Sequence, residues 1–195
     1  NKHNNYSLIF QHQERKITIP EGIEIDRFLK LNPIKVLPYH DISIYHDARI
    51  ILFANIFSEI DKFNNDFDWI SMKHRYRNSF NEELLICFAY KKINFTRFKK
   101  IKNYAANEDF NGKKNQISRL SENGFIVRKN NLKVKKISKL WTEISILTKR
   151  DQLSLPITLF KLKNKKINLK FFRDDFSNSK MLKLTQRITK NKIIN

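Results

Sequence analysis

The stretch Gly112 to Lys136, GKKNQISRLSENGFIVRKNNLKVKK, constrains the fold of this chain more than any other. From about Lys113, the spacing of Ile117 and Leu120 predicts a short helix with Lys113, Lys114, Asn115 and Arg119 turned outward. Gly124 suits the left-handed residue that closes a helix, and Leu120 and Phe125 are spaced for the apolar contact that accompanies such an ending. Two strands are expected next. A two-residue turn at Asn130-Asn131 pairs Val127 with Val134 and sets Phe125 opposite Lys136, so that one face packs and the other points Arg128, Lys133 and Lys135 into solvent. A following helix would carry Ile137, Leu140, Trp141, Ile144 and Leu147 on one stripe.

Charge is sorted along the chain. Residues 1–90 hold 11 Lys+Arg against 12 Asp+Glu, whereas residues 91–195 hold 28 against 7. Codon bias would spread lysine evenly; a block this positive calls for a polyanion, with phosphate backbone first and an acidic membrane surface second. The chain of 195 residues, 41% hydrophobic, is long enough for a real core. Its single cysteine, Cys87, excludes an internal disulfide and any Cys-rich zinc motif. No run reaches 18 apolar residues, so no membrane span is expected. The chain opens on Asn1, and its N-terminus is not read for targeting.

Residues 7–20 predict a hairpin or two short strands before Pro20. Asp41 or Ser43 can cap a helix from about Ile44 to Asp61, apolar on nearly all sides and suited to central packing or to a partner subunit. Asn64-Asn65-Asp66 breaks it, and Phe67 to Met72 reads as a short strand or turn. Ser79-Phe80-Asn81-Glu82 fits a capping box ahead of a helix carrying Leu84, Leu85, Phe88 and Ala89. Another helix is expected from about Thr96 to Asn107, with Phe98, Ile101 and Tyr104/Ala105 inward. A boundary near residue 78 divides a neutral N-terminal domain, for packing or dimerisation, from a basic region over 79–195. Farther on, a turn at Asn164-Lys165 would set Leu162 against Ile167 and Phe160 against Leu169. Lys161, Lys163, Lys166 and Lys170 would then form a second basic ribbon.

Catalytic signatures are missing. Tyr39-His40-Asp41 and Tyr45-His46-Asp47 echo each other six residues apart, but Asp41 reads as a cap and His46 as a helical residue, so no metal site is assigned. Lys73-His74-Arg75-Tyr76-Arg77 lacks partner carboxylates and reads as a basic loop. With three glycines there is no phosphate-cradling loop, and GxSxG, HExxH and CxxC do not occur. The residues thus predict no enzyme and no cofactor.

Ser118-Arg119-Leu120-Ser121-Glu122-Asn123-Gly124-Phe125-Ile126 resembles the end of a recognition helix and the start of the wing in the winged-helix superfamily. The segment Ala48-Arg49-Ile50-Ile51-Leu52 ahead of it is similar to plasmid replication initiators built of paired winged helices. The resemblance implies an α+β fold, a helical core with short β-hairpins and a winged-helix-like unit in the middle and C-terminal half. It implies that Lys114, Asn115, Gln116 and Arg119 read base edges from the major groove, while Lys113, Arg128, Lys129, Lys133 and Lys135 hold phosphates. The expected function is non-enzymatic DNA binding in replication initiation or transcription regulation, as a homodimer through the N-terminal half, cytoplasmic or nucleoid-associated. The alternative is a structural RNA-binding protein of a ribosome, in a mitochondrial or other organellar matrix, which accounts better for the second ribbon.

Overall fold

A computed structural model describes residues 4–10, 13–19, 21, 23–53, 55–108, 110 and 120–185. The chain opens with an antiparallel hairpin of β1 (Asn4–Phe10) and β2 (Gln13–Ile19), as the alternation over residues 7–20 predicts. Helices α1 (Ile25–Leu31) and α2 (Pro33–Val36) follow, the second started by a proline whose fixed φ suits a first helical turn. Next come β3 (Ile42–His46), β4 (Ile50–Leu52), α3 (Ile56–Asp61) and β5 (Trp69–Lys73). Helices α4 (Phe80–Ala89) and α5 (Phe95–Asn107) form a pair. The nine-residue strand β6 (Ser121–Lys129) leads into α6 (Leu132–Thr148) and α7 (Asp151–Lys161). Two short strands, β7 (Leu169–Phe171) and β8 (Leu182–Leu184), complete the described chain.

A four-stranded mixed sheet in the order β3-β6-β5-β7 organises the molecule. β6 runs antiparallel to both β3 and β5, while β7 is parallel to β5. Strands β3, β5 and β7 therefore point the same way and end on one edge. β6 lies between two neighbours, and Phe125, Ile126, Val127 and Arg128 along it are all buried. The sheet has two covered faces, as a strand buried on both sides requires. On one, Trp69 and Ile126 pack with Phe28, Leu31, Ile137, Trp141, Leu155 and Leu159. On the other, Ile70, Met72, Phe125 and Val127 pack with Ile56, Ile60, Phe172, Phe176, Met181 and Leu182. A third cluster joins α4 and α5 to α6 and α7 through Leu84, Ile101, Ile144 and Leu153.

The chain is thus mixed helix and strand, but not the winged arrangement. The predicted helix Lys113–Asn123 falls largely outside the described residues; its end does not, and Ser121 to Lys129 is one continuous strand. Val127 pairs with Ile44 and Ile70, not Val134. Asn131 is not a hairpin turn but the N-cap of α6, its Oδ1 accepting from the Val134 amide at 3.0 Å. Asparagine serves either role, and the buried spacing of Val134, Ile137, Trp141 and Ile144 is helical. The second expected hairpin is likewise replaced: Asn164-Lys165 lies in a single 3₁₀ turn that ends α7. The central helix predicted over Ile44–Asp61 resolves into β3, β4 and α3, where runs of β-branched isoleucine favour the pleat. The break at Asn64-Asn65 is present, with both residues left-handed at φ 47° and 57°, as is α5. The capping box of α4 is present too, with Glu82 N donating to Ser79 Oγ at 3.2 Å. Residue 78 lies in the connection between β5 and α4, and the sheet takes strands from both sides of it.

Candidate active site

In an open sheet with helices on its faces, polar groups at the carboxyl ends of parallel strands converge where loops leave the sheet. Asp47 stands at that edge, immediately after β3. Its amide donates to Gly124 O at 2.8 Å, and its carbonyl accepts from Ile50 N at 2.9 Å, so the backbone is held on both sides. Tyr45 OH donates to Asp47 Oδ1 at 2.8 Å. Burial, and after it the Asp47 charge, drives the Tyr45 pKa far above the usual phenol range, so the hydroxyl stays a donor. Gly124 completes the seat: a Cβ there would lie 3.1 Å from Asp47 Oδ2 and 3.3 Å from Ile50 Cδ1. The glycine sits here in close approach to Asp47 and Ile50, within a strand and not at a left-handed helix ending.

Two cations reach the same place from α1, where residues three apart share a face. Lys30, its side chain 8% exposed, sits 2.6 Å from Asp151 Oδ2 and 3.7 Å from Asp47 Oδ1. Its ammonium also lies 5.2 Å from the centre of the Tyr45 ring. Arg27 Nε is 3.4 Å from Asp151 Oδ1. Asp151 is the first residue of α7, where the helix dipole favours a carboxylate. The backbone of Lys30 is fixed from beneath by Arg128, whose guanidinium donates to Lys30 O and lies 5.3 Å from the Trp69 ring. Burial pulls the Arg128 pKa down to about 9, which leaves it charged at neutral pH. Two carboxylates and two cations balance, and the Asp47 side chain remains 37% exposed. Arg49, two residues on in the same turn, is exposed.

Along the same edge, β5 ends in a buried polar knot. His74 Nδ1 accepts from the amides of Tyr76 and Arg77, both at 3.2 Å, while Nε2 lies 3.1 Å from Arg77 Nη2 and 3.8 Å from Glu83 Oε2. Burial lowers the His74 pKa, and Arg77 adds to the effect. Arg77 pairs with Glu83, and Cys87 Sγ donates to the other Glu83 oxygen at 3.3 Å. Burial first, then Glu83, pushes the Cys87 thiol up to about 11, so it is not a ready nucleophile. Arg75 pairs with Glu122 at 3.0 Å, at the start of β6. Register slips there: Ser71 pairs with Ile126 but Met72 with Glu122. This bulge leaves Asn123 to Phe125 without pairing partners on β5, while on the opposite, β3 side of the strand Gly124 O accepts Asp47 N.

The residues expected to bind nucleic acid are elsewhere. Lys113, Lys114, Asn115, Gln116 and Arg119 lie outside the described residues. Arg128 is 1% exposed and cannot reach a phosphate. Lys133 and Lys170 pair with Asp68 and Asp66 at 2.9 Å each, and Lys129 Nζ donates to Asn65 O at 2.5 Å, all near the opposite edge of the sheet. Lys161 pairs with Glu108 at 2.7 Å, Lys163 lies 4.3 Å from the Phe160 ring, and Lys166 is the left-handed residue ending the 3₁₀ turn. Lys135 lines an apolar groove of about 590 Å³ between α2 and α6, among Ile34, Leu132 and Ile146. That groove has one carboxylate, Glu143, beside four lysines. Among the described residues no three His, Cys, Asp or Glu side chains gather as a metal site, and no helix is long and apolar enough to cross a membrane.

Sequence reasoning missed Lys30 and Asp151 altogether. Asp47 was visible in the Tyr45-His46-Asp47 echo, and Gly124 was visible as a residue suited to closing a helix, but neither hinted at the other.

No curated protein and no solved structure matches the chain. A model of the TOD1/MUCI70 glycosyltransferase-like domain matches residues 24–186. This overturns the winged-helix and replication-initiator resemblance, and with it DNA binding, the ribosomal RNA-binding alternative and the nucleic-acid partner. A glycosyltransferase-like family also conflicts with the expectation of no enzyme. From Glu24 to the end of the described residues, sheet and carboxyl edge included, the chain belongs to the TOD1/MUCI70 glycosyltransferase-like domain family.

Proposed function

We propose that the protein transfers a sugar from a phosphate-activated donor to an acceptor hydroxyl, with the carboxyl edge around Asp47 as the reaction site. The observation that carries the reading is the seat of Asp47, a partly exposed carboxylate held by Tyr45, backed by Lys30 and packed closely against Gly124. In such a transfer the acceptor oxygen bonds to the anomeric carbon, the carbon–phosphate oxygen bond breaks, and the acceptor proton goes to a base. Asp47 is the group placed to touch the donor sugar. Arg49 supplies positive charge where the phosphate departs. Lys30, itself held by Asp151, stands 3.7 Å from Asp47 and together with Tyr45 keeps it oriented, which is preorganisation of the kind that lowers a barrier without motion during reaction.

The test is release of the nucleotide from a panel of UDP-, GDP- and CMP-linked sugars offered with simple hydroxyl acceptors. Asp47→Asn is expected to lower kcat/KM at least 100-fold, about 2.7 kcal/mol of transition-state stabilisation, with an unchanged Tm. Full activity in Asp47→Asn would sink the assignment.

A further inference from the structure

We infer that the hairpin formed by α4 and α5 docks on the surface of an anionic lipid bilayer. Its connection, Tyr90 to Asn94, is pinned from inside by Cys87 and Ile93, which are 0% and 3% exposed. From outside, the same turn carries apolar side chains with nothing over them. Leu85 is 58% exposed, Phe88 38%, Tyr90 71% and Phe95 54%. The rings form one group, with Phe88 centred 6.0 Å from Phe95 and 5.0 Å from Phe98.

Lysines frame this group. Leu84 to Asn107 contains six Lys and Arg and no Asp or Glu. Lys91, Lys92, Lys99, Lys100 and Lys102 are exposed. Lys92 lies 5.9 Å from the Tyr90 ring and Lys99 4.5 Å from the Phe95 ring. Among the described residues none of these five has a carboxylate partner, in contrast to Lys133, Lys161 and Lys170, each of which has one. Unneutralised positive charge therefore surrounds the protruding aromatics.

Charge and shape select the occupant. Aromatic rings beside lysines fit the boundary between headgroups and acyl chains, where each end of such a side chain is satisfied. Clusters of four to eight Lys and Arg beside an apolar helix face favour anionic lipid. A protein partner is the poorer fit. Four partly exposed side chains offer on the order of 400 Å² of apolar surface, about half of what one side of a stable protein interface buries. Bilayer docking does not rest on glycosyl transfer, since it is measured without donor or acceptor.

The experiment sediments the full chain with vesicles of phosphatidylcholine, with or without 30% phosphatidylglycerol, near 0.1 M salt. Partition is expected to be at least tenfold stronger on the anionic vesicles. Tyr90→Ser with Phe95→Ser should lower it at least tenfold. Lys91→Gln, Lys92→Gln and Lys99→Gln together should lower it about 100-fold. All five positions are exposed, and an unchanged Tm confirms that each variant is folded. Equal binding to both vesicles, or no binding to either, overturns the inference. So does full binding by the aromatic variant, which would make the hairpin a plain basic face, and so does tighter binding to soluble polyglutamate than to anionic vesicles, which would point to an acidic protein partner.

Discussion

His74 shows how much one side chain can hold at the end of a strand. Its Nδ1 takes two backbone amides while its ring is buried beside Arg77, so the neutral form is built into the fold. The pKa is depressed in the folded state, so below the ordinary histidine value of about 6.5 the unfolded chain binds a proton that the native chain does not. Stability should be complete above that pH and fall as the pH drops toward the folded pKa, by at most about 1.4 kcal/mol per pH unit. Urea unfolding at pH 7.0, 6.0 and 5.0 measures this slope. His74→Asn, which keeps an acceptor for the two amides but cannot titrate, should flatten it; an unchanged slope in that variant assigns the effect to another group. At this scale the sequence was only partly legible. Asp47 and Gly124 drew notice, but their pairing depends on a strand contact between residues 77 positions apart, and Lys30 meets Asp151 across 121.

Asp68 ties three elements at the start of β5. Its oxygens accept from Asn131 Nδ2 at 2.8 Å, the Asn168 amide at 2.8 Å and Lys133 Nζ at 2.9 Å. Burial pushes its pKa up, but these three donors outweigh burial and hold it below the usual carboxylate range. The start of α6, the approach to β7 and the entry to β5 therefore share one carboxylate. Asp68→Ala strands the Asn168 amide and loosens the α6 cap, and should cost about 2–3 kcal/mol in chemical denaturation; a loss under about 0.5 kcal/mol would mean that water replaces it freely. Local chemistry explains which elements could be read in advance. The Ser79-Glu82 box and the spacing of α5 need only residues within a turn of one another. The strand identity of Ser121–Lys129 does not, because its partners are β3 and β5, far away in the chain, while its own Asn-Gly step also suits a helix ending.

The two tryptophans test the molecule as a whole. Trp69 comes from the neutral half and Trp141 from the basic half, yet their rings meet edge to face, 5.4 Å apart in one core. A division of the chain near residue 78 would cut the sheet between β5 and β6. Thermal unfolding followed by tryptophan fluorescence and by far-ultraviolet circular dichroism should therefore give one coincident transition; two separated midpoints would show halves that fold alone. Net charge made the halves look independent, because charge is a surface property and says little about which strands pair. The central strand carries a further consequence for biosynthesis. β6 is the neighbour to which both β3 and β5 bond, and it is the last of these three to leave the ribosome. Until about residue 129 has emerged, the two earlier strands have no partner between them, and their edges stand open to other nascent chains. Assembly of the sheet is in that sense a late event, begun by a single strand arriving between two that have been waiting for it.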